Sequence, residues 1–280
     1  MTTALTLLGT AGGPAPKRTR AAPAQVIAVD GDSYVVDCGN GVARQLVLAG
    51  IDLSHLRSIL LTHHHSDHNA DYGNLLLLAW AANLQRTVPA YGPPPILEMT
   101  RAFFELNRFD VETRIEDEGL CDPRPLLDPH EIASAGLIYQ DEKVRVTAAR
   151  VDHPPIEIAF AYRFDTADRS IVISGDTAPC ENLVRLAEGA DLLVHEVMYA
   201  PAIAATAARY GAATRLREHL AASHTSVADV GAIAQRAGVR TLVLSHFVPT
   251  DADIADQVWH EQASQGFDGE VIVGRDLLTL

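Results

Sequence analysis

Histidine is concentrated at one point of the chain, in the run His63-His64-His65-Ser66-Asp67-His68. Residues 58–62, with Ile59, Leu60 and Leu61 at their centre, precede this run and predict a buried strand. Because side chains two residues apart in extended backbone lie on the same face, His63 and His65 can bind a single ion, while His64 points to the other face. The run therefore predicts a metal site at the end of a strand.

The last two residues of the run extend the predicted site. Asp67 and His68 fall where a helix over residues 67–82 is predicted to begin, and they can contribute ligands to a second ion a few ångströms away. Imidazole nitrogens and carboxylate oxygens are ligands that Zn²⁺ accepts at about 2.0–2.2 Å. Iron and manganese stay open as alternatives, because these ligand types do not select strictly between metals.

Short apolar strands alternate with helical patterns along the chain, which predicts an α/β fold of sheets covered by helices. Three of the predicted strands span residues 144–151, 170–174 and 241–245. Residues 110–130 are acidic, contain three prolines and show no clear periodicity. They predict a long irregular loop, and long loops inside compact domains are often functional.

No low-complexity linker or repeat divides the sequence, so we expect a single domain over residues 1–280. Residues 96–130 and 200–222 are candidate lid segments. The second of these is rich in alanine, and it either caps the pocket or forms a subunit interface, which leaves a homo-oligomer open.

Further motifs follow the other predicted strands: His153, Gly175-Asp176-Thr177, Ser245-His246, and the glycine turns Leu8-Gly-Thr-Ala-Gly-Gly13 and Val36-Asp37-Cys-Gly-Asn-Gly41. Together with His63-x-His65-x-Asp67-His68, these motifs resemble the metallo-β-lactamase superfamily, whose signature is HxHxDH. They occur in family order over nearly the whole chain. The resemblance implies the metallo-β-lactamase fold, an αββα four-layer sandwich.

The resemblance also implies a division of the ligands between two metal ions. It assigns His63, His65 and His153 to one ion, Asp67, His68 and His246 to the other, and Asp176 to both. Two zinc ions would hold a water between them and lower its pKa from 15.7 toward about 7. The resulting metal-bound hydroxide would be the nucleophile of a dinuclear hydrolase, and Asp67 would help to orient it.

Two more segments resemble one branch of the superfamily, which contains tRNA 3′-processing endonucleases of the RNase Z type and arylsulfatases. They are His195-Glu196 and Ser223-His224-Thr225-Ser226. The resemblance implies that His224 is the general acid toward the leaving group and that Glu196 orients it. A carboxylate behind an imidazole fixes its tautomer and raises its basicity. His195 is expected to be structural.

Charge and spacing decide our expectation for the substrate. The formal net charge is −14, and the densest basic cluster is Lys17, Arg18 and Arg20. Such a surface repels polyphosphates at long range. His153 and Asp176 lie only 23 positions apart, which leaves no room for the long basic arm common in tRNA-processing members, and Ser245-His246 is not followed by their Ser-Arg-Tyr pattern.

We therefore expect a hydrolase that cleaves an ester-like bond in a small organic molecule: a carboxylic, sulfuric or phosphoric ester, or an activated aryl ether. Nucleic acid is disfavoured as a partner. The alternative is a tRNA 3′-processing endoribonuclease, a phosphodiesterase of the RNase Z type. A metal-binding regulator without turnover is a third hypothesis, and the full set of ligands argues against it.

The sequence also predicts a compartment. No apolar run reaches 18 residues, the first residues lack a secretion signal, and three cysteines are scattered without a disulfide or CxxC pattern. We expect a cytoplasmic protein that does not associate with a membrane.

Overall fold

Two seven-stranded mixed sheets pack face to face in the computed structural model, which describes residues 2–209, 211, 214–250 and 252–280. The remaining residues, Met1, Tyr210, Ala212, Ala213 and Asp251, lie outside the description. Three of them belong to the candidate lid at 200–222.

The first sheet runs in the order β14-β1-β2-β3-β4-β5-β6. Its strands are β1 Thr3–Gly9, β2 Ala24–Val29, β3 Asp32–Val36, β4 Leu56–Leu60, β5 Val88–Gly92, β6 Leu127–Glu131 and β14 Leu278–Thr279. The pairs from β14 to β3 are antiparallel, and those from β3 to β6 are parallel.

The second sheet runs in the order β13-β12-β11-β10-β9-β8-β7. Its strands are β7 Gly136–Gln140, β8 Arg145–His153, β9 Ile156–Asp165, β10 Ser170–Ile173, β11 Leu192–Met198, β12 Thr241–Val248 and β13 Glu270–Val273. Here the pairs from β7 to β10 are antiparallel and those from β10 to β13 are parallel.

Helices connect the strands of the two sheets. They are α1 Val42–Leu48, α2 Ser66–Asn69, α3 Tyr72–Ala81, α4 Ile96–Leu106, α5 Arg108–Glu118, α6 Glu181–Leu186, α7 Ala200–Arg209, α8 Leu216–Ser223, α9 Val227–Ala237 and α10 Asp256–Ala263. One apolar cluster joins the first sheet to α1, α3 and α4, and another joins the second sheet to α6, α9 and α10.

The central core lies between the two sheets. Leu7 and Val36 of the first sheet pack in one cluster with Phe160 and Tyr162 of the second, and all four are fully buried. Since each sheet is apolar on both faces, it needs one sheet and one helical layer as partners. The αββα four-layer sandwich expected from the resemblance is confirmed.

The expectation of an irregular loop at 110–130 is wrong. Helix α5 occupies the first part of this segment. Its side chains are mostly exposed, so the sequence shows no apolar periodicity there. Arg114 forms ion pairs with Asp110 at 3.1 Å and with Glu118 at 2.8 Å, each one helical turn away. Strand β6 occupies the end. It is an edge strand, where Pro129 is tolerated without an amide hydrogen.

The helix predicted at 67–82 is divided into α2 and α3. The backbone between them bonds to the turn after β3: Cys38 N–H donates to His68 O at 2.6 Å, and Asp71 N–H donates to Cys38 O at 2.9 Å. The break leaves α2, which carries Asp67 and His68, as a separate helical turn. Among the described residues, no helix has the length and apolar character needed to cross a membrane.

Candidate metal centre

The first group of candidate ligands converges from two strands. His63 and His65 follow β4, and His153 ends β8. Nδ1 of His65 lies 3.0 Å from Nε2 of His63 and 3.0 Å from Nε2 of His153. Asp176 lies just after β10, and its Oδ2 is 3.9 Å from Nε2 of His63 and 3.9 Å from Nε2 of His153.

The second group lies on the other side of Asp176. Nε2 of His68 lies 3.3 Å from Nε2 of His246, and Oδ2 of Asp67 lies 3.7 Å and 3.5 Å from these two nitrogens. The Asp176 carboxylate lies 3.3 Å from both imidazoles. The structure therefore brings all seven expected ligands together, with Asp176 between the two groups.

Hydrogen bonds to the outer nitrogens fix which atoms the first group turns inward. Nδ1–H of His153 donates to Ser223 O at 2.9 Å, and Nδ1 of His63 lies 3.0 Å from Thr62 Oγ1. Nε2 of His63 and Nε2 of His153 then carry lone pairs that face Nδ1 of His65. That nitrogen holds at most one proton, so it cannot donate well to both. A cation among the three nitrogens would satisfy all of them, so the residues present fit a metal ion.

Electrostatics favour the same reading. Burial lowers the pKa of His63 and His153 and brings that of His65 to about 4, which leaves three neutral imidazoles. Burial opposes ionisation of Asp67, but His68 and His246 lower its pKa to about 2. The same two imidazoles lower the pKa of the buried Asp176 well below its usual value, so both carboxylates are ionised. Neutral imidazole and ionised carboxylate are the forms that bind metal.

The second group attracts positive charge. Burial works against a charged His68, yet the carboxylates of Asp176, Asp37 and Asp67 raise its pKa well above the ordinary value. The same field favours a divalent cation at this point.

Asp37 is a residue of this site that the sequence analysis did not assign. It follows β3 with a φ of +60°, is 2% exposed, and its Oδ2 accepts from Nδ1 of His68 at 2.7 Å. Its Oδ1 accepts from the backbone N–H of Thr62 at 2.8 Å, and the Thr62 hydroxyl also donates to this carboxylate. Asp37 thus orients His68 directly and His63 through Thr62. An aspartate before a Cys-Gly turn was the available signal.

His224 and Glu196 form a second pair beside the metal ligands. Oε1 of Glu196 lies 3.1 Å from Nδ1 of His224 and accepts from the backbone N–H of Thr177 and of Thr225, each at 3.1 Å. Burial opposes the charged imidazole, but Glu196 raises the pKa of His224 to about 9. His195 turns away and bonds through Nδ1 to Glu196 O at 2.7 Å.

A cavity of about 370 Å³ opens over the ligands. Its lining includes Gly13, Lys17, Asp67, His219 and His224. Helices α7 and α8 of the lid candidate at 200–222 contribute to this lining, whereas none of it comes from residues 96–130. His64 bonds to Pro93 O at 2.7 Å, away from the cluster.

Residues 33–247 match the family model described as Beta-lactamase superfamily domain. The chain belongs to the metallo-β-lactamase superfamily. The prediction that it is a metal-dependent hydrolase is confirmed, as is its relation to the tRNase Z branch.

A relative and two solved structures match nearly the whole chain. It is 34% identical to a protein named Ribonuclease Z from Mycobacterium bovis (strain BCG / Pasteur 1173P2) over 98% of this chain and 96% of that one. The metallo-beta-lactamase fold protein YhfI from Bacillus subtilis superposes with a TM-score of 0.75 at 21% identity, covering 99% and 98% of the two chains. Human tRNase Z, short form (ELAC1), superposes with a TM-score of 0.68 at 22% identity, covering 99% and 98%.

The expectation of a small organic ester as substrate is wrong, and so is the expectation that nucleic acid is disfavoured as a partner. A full-length relative named Ribonuclease Z favours the alternative instead. The physical error lies in the use of net charge. Exposed charges act over a screening length of about 8 Å, so the carboxylates of a −14 surface say little about one cavity. Lys17 lines that cavity.

Proposed function

We propose that this protein is a tRNA 3′-processing endoribonuclease, which hydrolyses a phosphodiester bond in precursor tRNA. The observation that carries the proposal is the 34% identity to Ribonuclease Z over nearly the full length of both chains. The core between the two sheets supports a single domain, and three cysteines without disulfides among the described residues support a cytoplasmic location.

We propose that the seven ligands hold two zinc ions, with His63, His65 and His153 at one and Asp67, His68 and His246 at the other. Asp176 would contact both. Such a pair of ions supplies Lewis acidity and an activated water at neutral pH. Elemental analysis of protein purified without chelator distinguishes zinc from iron and manganese.

His224 is the proposed proton donor. Its Nδ1–H donates to the Glu196 carboxylate, so the proton available for transfer is the one on Nε2. His224 also lines the cavity. From there it donates a proton to the oxygen that leaves the phosphorus. Glu196 is a positioning residue, since three N–H groups hold its Oε1 in place.

Lys17 supplies a cationic contact for phosphate at the rim of the cavity. The loop that carries it is anchored by Arg20, whose guanidinium donates to Thr10 Oγ1 at 2.7 Å and to Gly274 O at 2.9 Å and lies 4.1 Å from the centroid of the Phe247 ring. Among the described residues, Lys17 has no carboxylate within ion-pair distance, so its ammonium group is available for the RNA backbone.

The test is cleavage of a precursor tRNA transcript that carries a 3′ trailer, at low salt and with zinc supplied. We expect specific release of the trailer, loss of cleavage on chelation, and a strong reduction in His224→Gln. His260→Gln, at an exposed histidine of α10, is the matched control. Absence of trailer release by zinc-loaded, folded protein would overturn the proposal.

A further inference from the structure

A histidine outside the assigned set also lines the cavity. His219 lies on α8, and its ring centroid is 6.1 Å from that of His65, 6.4 Å from His153 and 6.3 Å from His224. The next residue, Leu220, packs against Met198, Ile203 and Val248. This packing fixes α8, so His219 has a defined position beside the reacting groups.

Hydrogen bonding fixes the tautomer of His219. The hydroxyl of Ser223 donates its only proton to Pro154 O, so Ser223 Oγ is an acceptor toward Nδ1 of His219, 3.3 Å away. His219 therefore carries its proton on Nδ1. Its Nε2 is left with a lone pair, and no described residue donates to that atom.

A bare imidazole nitrogen accepts hydrogen bonds and does not donate them. Phosphate oxygens are acceptors too, so they cannot pair with Nε2. The donor of RNA that lies nearest to each phosphate is the ribose 2′-hydroxyl, which is also the group that distinguishes RNA from DNA.

We propose that His219 is a specificity-determining residue whose Nε2 accepts a hydrogen bond from a ribose 2′-hydroxyl next to the scissile phosphate. The inference rests on the proposed function, because it takes RNA as the substrate. A preference for ribose over deoxyribose would then come from a side chain outside the seven proposed metal ligands.

The test compares an all-ribose precursor tRNA with two transcripts that carry a single 2′-deoxy sugar, one on each side of the scissile phosphate. For the wild-type protein we expect one of the two to lose about three- to tenfold in kcat/KM, the size of one neutral hydrogen bond. In His219→Phe, which keeps the ring volume without the acceptor, all three substrates should react alike. His260→Phe is the control with the same replacement at an exposed position.

Binding of the same three RNAs, measured by fluorescence anisotropy, separates the two proposals. If the wild-type protein binds the three RNAs but does not cleave them, the proposed function fails. In that case, a lower Kd for the all-ribose RNA that is lost in His219→Phe still supports the role of His219. If the ratio of ribose to deoxyribose is the same in His219→Phe and wild type, in both kcat/KM and Kd, the inference is wrong. A merely structural role would lower activity on all substrates equally and would leave that ratio unchanged.

Discussion

Replacing Asp37 by asparagine tests whether a residue that binds no metal controls the second metal site. The Asp37 carboxylate accepts from Nδ1 of His68 on one oxygen and from the backbone N–H of Thr62 on the other. An asparagine has only one acceptor oxygen. In either orientation, its NH₂ group faces an N–H donor in a fully buried position.

The consequence differs from a simple loss of one hydrogen bond. If the amide faces His68, the imidazole can bond only by giving up its Nδ1 proton, which moves the proton to Nε2, the atom that lies among the ligands. Changes of this kind typically cost about 10–100-fold in metal affinity, or about 1.4–2.8 kcal/mol. The unsatisfied buried donor costs a further ~1–3 kcal/mol of the free energy of unfolding.

Metal affinity can be measured by competition with a chelator, followed by elemental analysis, and stability by chemical denaturation of the metal-free protein. Asp128→Asn is a matched control, because Asp128 also accepts from a histidine, Nε2 of His130 at 2.8 Å, but on the exposed surface. We expect this control to change stability by less than ~0.5 kcal/mol and to leave metal affinity unchanged. A folded Asp37→Asn protein that keeps wild-type affinity for both ions would refute the reasoning.

Three further predictions follow from the geometry of the site. His65→Gln should lose at least one equivalent of metal by elemental analysis, whereas His64→Gln should keep both, because only the first faces the cluster; equal metal content in the two would contradict this. Lys17→Ala should raise KM for precursor tRNA and reduce the slope of log KM against log salt by about one, and an unchanged slope would exclude a phosphate contact. Gly175→Ala should lower the free energy of unfolding by at least ~2 kcal/mol. Gly175 has a φ of +59°, and an added Cβ would lie 2.7 Å from Phe160 O. A denaturation midpoint equal to that of the wild type would contradict this expectation.

The substrate shows how a global property can mislead. Net charge describes attraction over the whole surface, and by that measure the chain repels RNA. Binding and chemistry depend on the few groups within a screening length of the site. In the cavity these include Lys17, and the carboxylates in the lining, Asp67 and Asp176, both belong to the proposed metal ligand set. The short interval between His153 and Asp176 is likewise compatible with the ribonuclease relatives, which match this chain over nearly its whole length.

Elements with a strong local pattern were predicted well, and elements stabilised by their context were not. The predicted strands before His63 and over 241–245 are short apolar runs, because β4 and β12 are buried on both faces. Helix α5 buries almost nothing, and β6 contains a proline, so neither shows the pattern that sequence analysis depends on. Their structure comes from surface ion pairs and from pairing with β5.

The sequence by itself determined the kinds of ligand and their order, since a histidine–aspartate run after an apolar strand has few uses other than metal binding. Only the tertiary structure decided how Asp37 selects the tautomer of His68, and how Ser223 leaves Nε2 of His219 bare. Local sequence governs how neighbouring side chains alternate along a strand. The direction of a proton in an imidazole depends on groups that lie far apart along the chain and meet only when both sheets and α8 are packed.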